Sequence, residues 1–144
     1  MKKTTFVLTA FLALLLSLGA LGLGAAVDSP RTLMSRTDYN AGRKAIESET
    51  RAAFAQCRPL TGAERDVCKA QARAEERVKV ADLQARYHGT VAAAEDARLA
   101  RVKAGFDVAR ARCEAESGDS KPDCLKAARE DRARALAQAR QATT

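Results

Sequence analysis

The sequence predicts an all-α fold: an elongated pair of antiparallel helical hairpins, three or four long helices in all, each hairpin stapled by a disulfide. Three observations predict it. A motif occurs twice: Cys57-Arg-Pro-Leu-Thr-Gly62-Ala-Glu-Arg-Asp-Val-Cys68 and Cys113-Glu-Ala-Glu-Ser-Gly118-Asp-Ser-Lys-Pro-Asp-Cys124 both read C-x4-G-x5-C, and they hold the only four cysteines. The composition is rich in alanine and 30% charged, with 4% aromatic residues and no tryptophan, which suits long helices with thin apolar seams. Apolar residues recur at helical spacing on both sides of each motif, and turn signals fall inside it.

The first 26 residues read as a secretory signal peptide. Lys2 and Lys3 supply a positive start, Phe6 to Leu23 is apolar, and Gly24-Ala25-Ala26 places small residues before a cut after Ala26. The rival reading is a retained membrane anchor, since a span takes about 20 apolar residues. Gly19, Gly22 and Gly24 weaken such a helix, and no basic stop-transfer cluster follows. Residues 27–37, with Pro30, read as a linker.

The duplicated domain is expected over 38–141, with repeat 1 at 38–88 and repeat 2 at 91–141. Helix 1 is expected over 38–57, capped by Thr37 or Asp38, with Tyr39, Ile46, Ala53 and Cys57 on one side and Pro59 just past its end. Thr61-Gly62-Ala63-Glu64 has the form of a capping box opening helix 2, which carries Val67, Val78, Ala81, Leu83 and Tyr87. Glu47 with Arg51, Glu75 with Lys79 and Asp82 with Arg86 stand at i,i+4 in the favourable order.

His88-Gly89-Thr90 offers a break, with Gly89 as terminator and Thr90 as a fresh cap, although a continuous helix would lose only about 1 kcal/mol to the glycine. Helix 3 has a heptad seam, as in a coiled coil, through Leu99, Val102, Phe106, Ala109 and Cys113. Ser120-Lys121-Pro122-Asp123 opens helix 4, which continues through Leu125, Ala128 and Leu136. Residues 142–144 form a frayed tail.

Folding each hairpin brings its two cysteines to one level, so Cys57 with Cys68 and Cys113 with Cys124 is the simplest of three connectivities, with cross-repeat pairing left open. Closing such a loop contributes roughly 3 kcal/mol in the chain-entropy treatment. Disulfides of this kind belong to an exported protein, periplasmic or secreted. A domain of this length ordinarily buries roughly two thirds of its unfolded surface. This chain lacks the large side chains for that, so it is expected to lean on its disulfides or on self-association.

Chemistry is hard to place on this sequence. Structural zinc favours C-x2–4-C pairs, and His88 is the only histidine, so no metal site is expected. C-x-x-C and C-x-x-C-H are absent, which argues against a dithiol enzyme and c-type haem. Ser117 and Ser120 have no histidine base at hand. His88 reads as a turn residue. No catalytic residue and no cofactor is expected, and the protein is read as a non-enzyme. The formal charge of +7 falls to about +5 without Lys2 and Lys3. It favours anionic surfaces through a diffuse field, but the basic residues are mixed with acids and form no nucleic-acid face.

With Met34-Ser35-Arg36-Thr37-Asp38-Tyr39 leading into two C-x4-G-x5-C frames, residues 34–141 resemble a group of small exported Ala- and Lys-rich Gram-negative bacterial proteins, often labelled TolA-like or cell-envelope-biogenesis proteins. The doubled cysteine frame is the specific part of the resemblance. The chain departs from the group in favouring Arg over Lys, and in having Tyr87-His88-Gly89-Thr90 where the group has a Pro-containing break. Leu60-Thr61-Gly62-Ala63-Glu64 is also similar to the Leu-Thr-x-x-Gln motif of Spy-type periplasmic chaperones, though capping explains the same residues. The expectation is a periplasmic, non-enzymatic helical protein with a structural or interaction role at the envelope. The alternatives are a stress chaperone and a binder of anionic polymer or lipid. The expected partner is a protein or other envelope component, or a second copy of the chain; no specific nucleic acid is expected.

Overall fold

The computed structural model of the protein describes residues 33–142. Residues 1–26, read as a leader, most of the linker and the last two residues of the tail lie outside that range. Among the described residues four helices follow one another: α1 (Arg36–Gln56), α2 (Gly62–His88), α3 (Val91–Glu114) and α4 (Ser120–Gln141). Each packs on its neighbour in the chain, α1 on α2, α2 on α3 and α3 on α4, with α2 and α3 sharing the most extensive interface. Among the described residues α1 touches neither α3 nor α4, and α2 does not touch α4. The helices therefore form an open series, not a closed four-helix bundle.

Both disulfides close within their repeats: Cys57 with Cys68, Cα atoms 5.6 Å apart, and Cys113 with Cys124, 5.4 Å apart. The glycine between each pair has a left-handed backbone, with φ of 53° at Gly62 and 64° at Gly118. A Cβ at either position would meet nothing within 4 Å, so glycine is required there by backbone conformation and not by space. This is the physical content of the repeated frame. The first cysteine closes one helix, glycine reverses the chain, and the second cysteine faces back from the next helix.

The break after α2 is equally explicit. Gly89 has φ 63° and its N–H donates to the Ala85 carbonyl, and Thr90 Oγ1 accepts from the Ala93 N–H to start α3. A Cβ on Gly89 would also collide with Leu33.

Three local expectations are corrected. Helix α1 begins at Arg36, inside the segment read as linker. Its cap is Ser35, whose Oγ accepts from the Asp38 N–H at 3.1 Å and donates to the Asp38 carboxylate at 2.7 Å. Thr61 stands at the cap position of α2 but makes no side-chain cap bond. The left-handed turn at Gly62 alters the path on which a capping box depends, and Arg65 Nε donates instead to the Leu60 carbonyl. Asp119, not Ser120, is the cap residue of α4, and Ser120 Oγ donates to the Ser117 carbonyl at 2.8 Å.

The core is thin. Among the described residues the buried apolar ones are Ile46, Leu83, Cys57, Cys113 and six alanines: Ala72, Ala74, Ala97, Ala104, Ala128 and Ala139. The most completely buried side chain is Cys57, at 1% exposure. Hairpin 1 is held at both ends, by its disulfide near the turn and by Tyr39 on Tyr87, ring centroids 4.5 Å apart, at the other. Between them α1 approaches closely because Gly42 has no side chain: a Cβ there would lie 2.8 Å from Leu83 Cδ1. The expected seam of α3 is only partly right. Cys113 is buried, but Leu99, Val102, Phe106 and Ala109 are half-buried, while Ala97 and Ala104 are buried in their place. A helix with neighbours on two sides divides its apolar residues between two seams.

Replacing Cys57 and Cys68 together by serine removes about 3 kcal/mol of stability, read as a lower urea midpoint; an unchanged midpoint contradicts the account. Gly105→Ala, where a Cβ meets nothing, gains about 1 kcal/mol of helix propensity. Gly42→Ala gains the same but overpacks against Leu83, at about 1–3 kcal/mol, and is net destabilising in the same denaturation measurement.

Candidate interaction surface

Because α1 and α3 flank α2 without touching each other, a trough runs over α2 between them. It encloses about 670 Å³. Its floor combines the core residues Ile46 of α1, Leu83 of α2 and Ala97 of α3, with Gly42, Ala45, Ala85 and Ala94 beside them. The small residues keep it open. Its rim is charged, with Glu49, Lys79, Asp82, Arg86, Arg98 and Arg101.

Two rim ion pairs bridge neighbouring helices. Lys79 Nζ donates to Glu49 at 2.9 Å, tying α2 to α1, and Arg101 donates to Asp82 at 2.5 Å, tying α3 to α2. The Lys79 ammonium is held above its ordinary value by the hydrogen bond to Glu49, against a small loss from burial. These pairs replace expected ones. Lys79 was expected to pair within its helix with Glu75, and Asp82 with Arg86. Both instead reach the neighbouring helix, while Glu47 pairs with Arg43, not Arg51.

The opposite side of α2 and α3 is polar. A second groove there is lined by Asp66, Lys69, Arg73 and Arg77 of α2 and by Asp107, Arg110 and Glu114 of α3. Arg77 donates to Asp107 at 2.6 Å, and Lys103 approaches the same carboxylate at 3.4 Å. Burial pushes the Asp107 carboxyl up, but the hydrogen bonds and charges of Arg77 and Lys103 outweigh it and hold it below the usual range. Cations also cover aromatic faces, Arg73 over Phe54 at 5.9 Å and Arg132 over Phe106 at 4.9 Å.

The structure brings Cys57 to Cys68 and Cys113 to Cys124, as the simplest pairing expects. It brings Ser120 onto the Ser117 carbonyl but places His88 with neither serine. His88 ends α2 exposed, edge-on to Tyr87 at 5.2 Å, and Ser117 and Ser120 stand at the other hairpin's turn. Among the described residues no group of three or more His, Cys, Asp or Glu is placed to hold a metal ion, and no helix is long and apolar enough to cross a membrane. Two closed disulfides with no free cysteine among the described residues fit an oxidising, exported environment. The chain matches no protein-family model, no curated protein and no solved structure.

The Asp107 pairing has a definite pH sign. A carboxyl lowered on folding adds stability above its unfolded value, near 3.8, and that stability is lost as pH falls through the folded value. Asp107→Asn should therefore cost about 0.5–1 kcal/mol at neutral pH, as expected for a half-exposed pair. In urea denaturation the gap between wild type and variant should narrow as pH falls from the unfolded value through the folded one. A gap that stays constant from neutral pH into acid contradicts the assignment.

Proposed function

We propose that the protein is exported to the periplasm with its leader removed, and acts there as a non-enzymatic helical interaction protein of the cell envelope. The observation that carries this reading is the pair of stapled hairpins: each oxidised cysteine pair clamps a helix pair that buries mostly alanine. Such a chain gains much of its order from oxidation, which an export compartment supplies. What it presents outward is surface, namely a trough with an apolar floor and a charged rim. The likeness of the doubled frame to exported envelope proteins supports the same reading.

The test is intact-mass analysis of the protein recovered from the periplasm of an expressing cell, with and without reduction, joined to cross-linking in the intact cell. The expected product begins at Val27, takes up no thiol reagent until reduced, and cross-links to an envelope component. A product that keeps residues 1–26, or one that labels at its cysteines without reductant, overturns the proposal.

A further inference from the structure

We propose that the trough between α1 and α3 docks an amphipathic α-helix with acidic flanks, supplied by a partner protein. This rests on the interaction role proposed above and gives it a surface and a partner chemistry. Three observations carry it.

The first is shape. Two helices, each antiparallel to the one between them, leave its side chains as a floor, so ridges and grooves suited to a further helix are already in place. The ligand would lay its apolar face, read at i, i+3, i+4 and i+7, over Ile46, Leu83 and Ala97. The second is an exposed apolar residue. Val91 is 70% exposed, and it stands three residues before Ala94, on the stripe of α3 that lines the trough. The apolar floor therefore continues along α3 toward the α2–α3 junction, further than the core requires.

The third is charge. Leaving Arg98 aside, the cationic side chains Lys79, Arg86 and Arg101 line the trough with two anionic ones, and both anions already pair with Lys79 and Arg101. The remaining positive charge, on Arg86, complements an acidic helix. It also disfavours a second copy of this chain as occupant. The outer helices are themselves net basic, α4 with six basic against three acidic residues and α1 with four against three, and like charges brought together at a rim repel.

The test uses the oxidised protein and two fluorescent 20-residue peptides. They share one leucine-alanine face, and their flanks carry Glu in one and Lys in the other. Anisotropy should show the Glu peptide binding at least tenfold more tightly than the Lys peptide, with the difference shrinking as salt is raised. Ala45→Trp, which fills the trough from an exposed position, should weaken the Glu peptide at least tenfold. Arg86→Glu should weaken it several-fold, and Arg134→Glu, the same charge change on α4, should leave it within twofold. Circular dichroism confirms that each variant keeps its helices.

Equal binding of the two peptides overturns the proposal, as does Glu-peptide binding that Ala45→Trp leaves intact. A dimer in sedimentation that Ala45→Trp dissociates overturns it in favour of a second copy. Cross-links to an envelope partner that map only outside the trough sink this site and leave the interaction role standing. A chain that is never exported sinks the interaction role itself.

Discussion

An interface made of alanine cannot hold two long helices together by burial alone, and the covalent closure of each turn is what the rest of this structure depends on. A buried methyl group contributes roughly 0.8 kcal/mol, against a backbone ordering cost of about 1–2 kcal/mol for every residue. Among the described residues, six of the ten buried apolar ones are alanines, and the best-buried side chain is itself half of a disulfide. The disulfide acts mainly on the unfolded chain, by denying it the separated arrangements that a thin seam could not outcompete. That explains why the frame is repeated once per hairpin. Among the described residues α1 packs on α2 alone and α4 on α3 alone, so each end helix has a single neighbour and a closure of its own.

Small side chains also let the helices come close, and close helices place their charged rims within reach of one another. That is why Glu49 finds Lys79, Asp82 finds Arg101 and Arg77 finds Asp107 across interfaces. Each such pair is at least a third exposed on one side, so none adds much stability. Their value is positional: they fix the register along antiparallel helices whose alanine seams would tolerate sliding. Hairpin 1 adds two stronger register marks, Leu83 lodged against Gly42 and Tyr87 on Tyr39. In hairpin 2 the covalent closure is joined by Arg132 over Phe106.

Features written in local sequence were legible. The four helices, the pairing of Cys57 with Cys68 and of Cys113 with Cys124, and the break at Gly89 all rest on glycine, cysteine spacing and apolar period, and all stand in the structure. One local signal was overlooked: Ser35 with Asp38 has the same capping form as Thr61 with Glu64, and it is the one that forms. At Thr61 the identical pattern fails because Gly62 takes a left-handed backbone, which residue type permits but does not announce. The interhelical ion pairs were not legible, because the choice between Glu75 and Glu49 for Lys79 depends on which helix lies alongside. The trough was not legible either. Ile46 and Leu83 could be recognised as apolar, but whether α3 closes over them or stands apart from α1 is decided by how the hairpins are joined.

That junction also sets what the trough can do. Had α1 and α3 packed together, Ile46, Leu83 and Ala97 would be enclosed by this chain, and Val91 would be the end of a seam and not a continuation beyond it. Gly89 and Thr90 instead turn α3 back along the far side of α2. One wall is then held by the Cys57–Cys68 bond and the Tyr39–Tyr87 contact, the other by the α2–α3 interface, the most extensive of the three. A site whose walls are fixed before its ligand arrives spends less binding free energy on ordering itself. On that view the disulfide does more than keep a slender hairpin folded: by holding α1 against α2, it sets the width of the space that an incoming helix would have to fit.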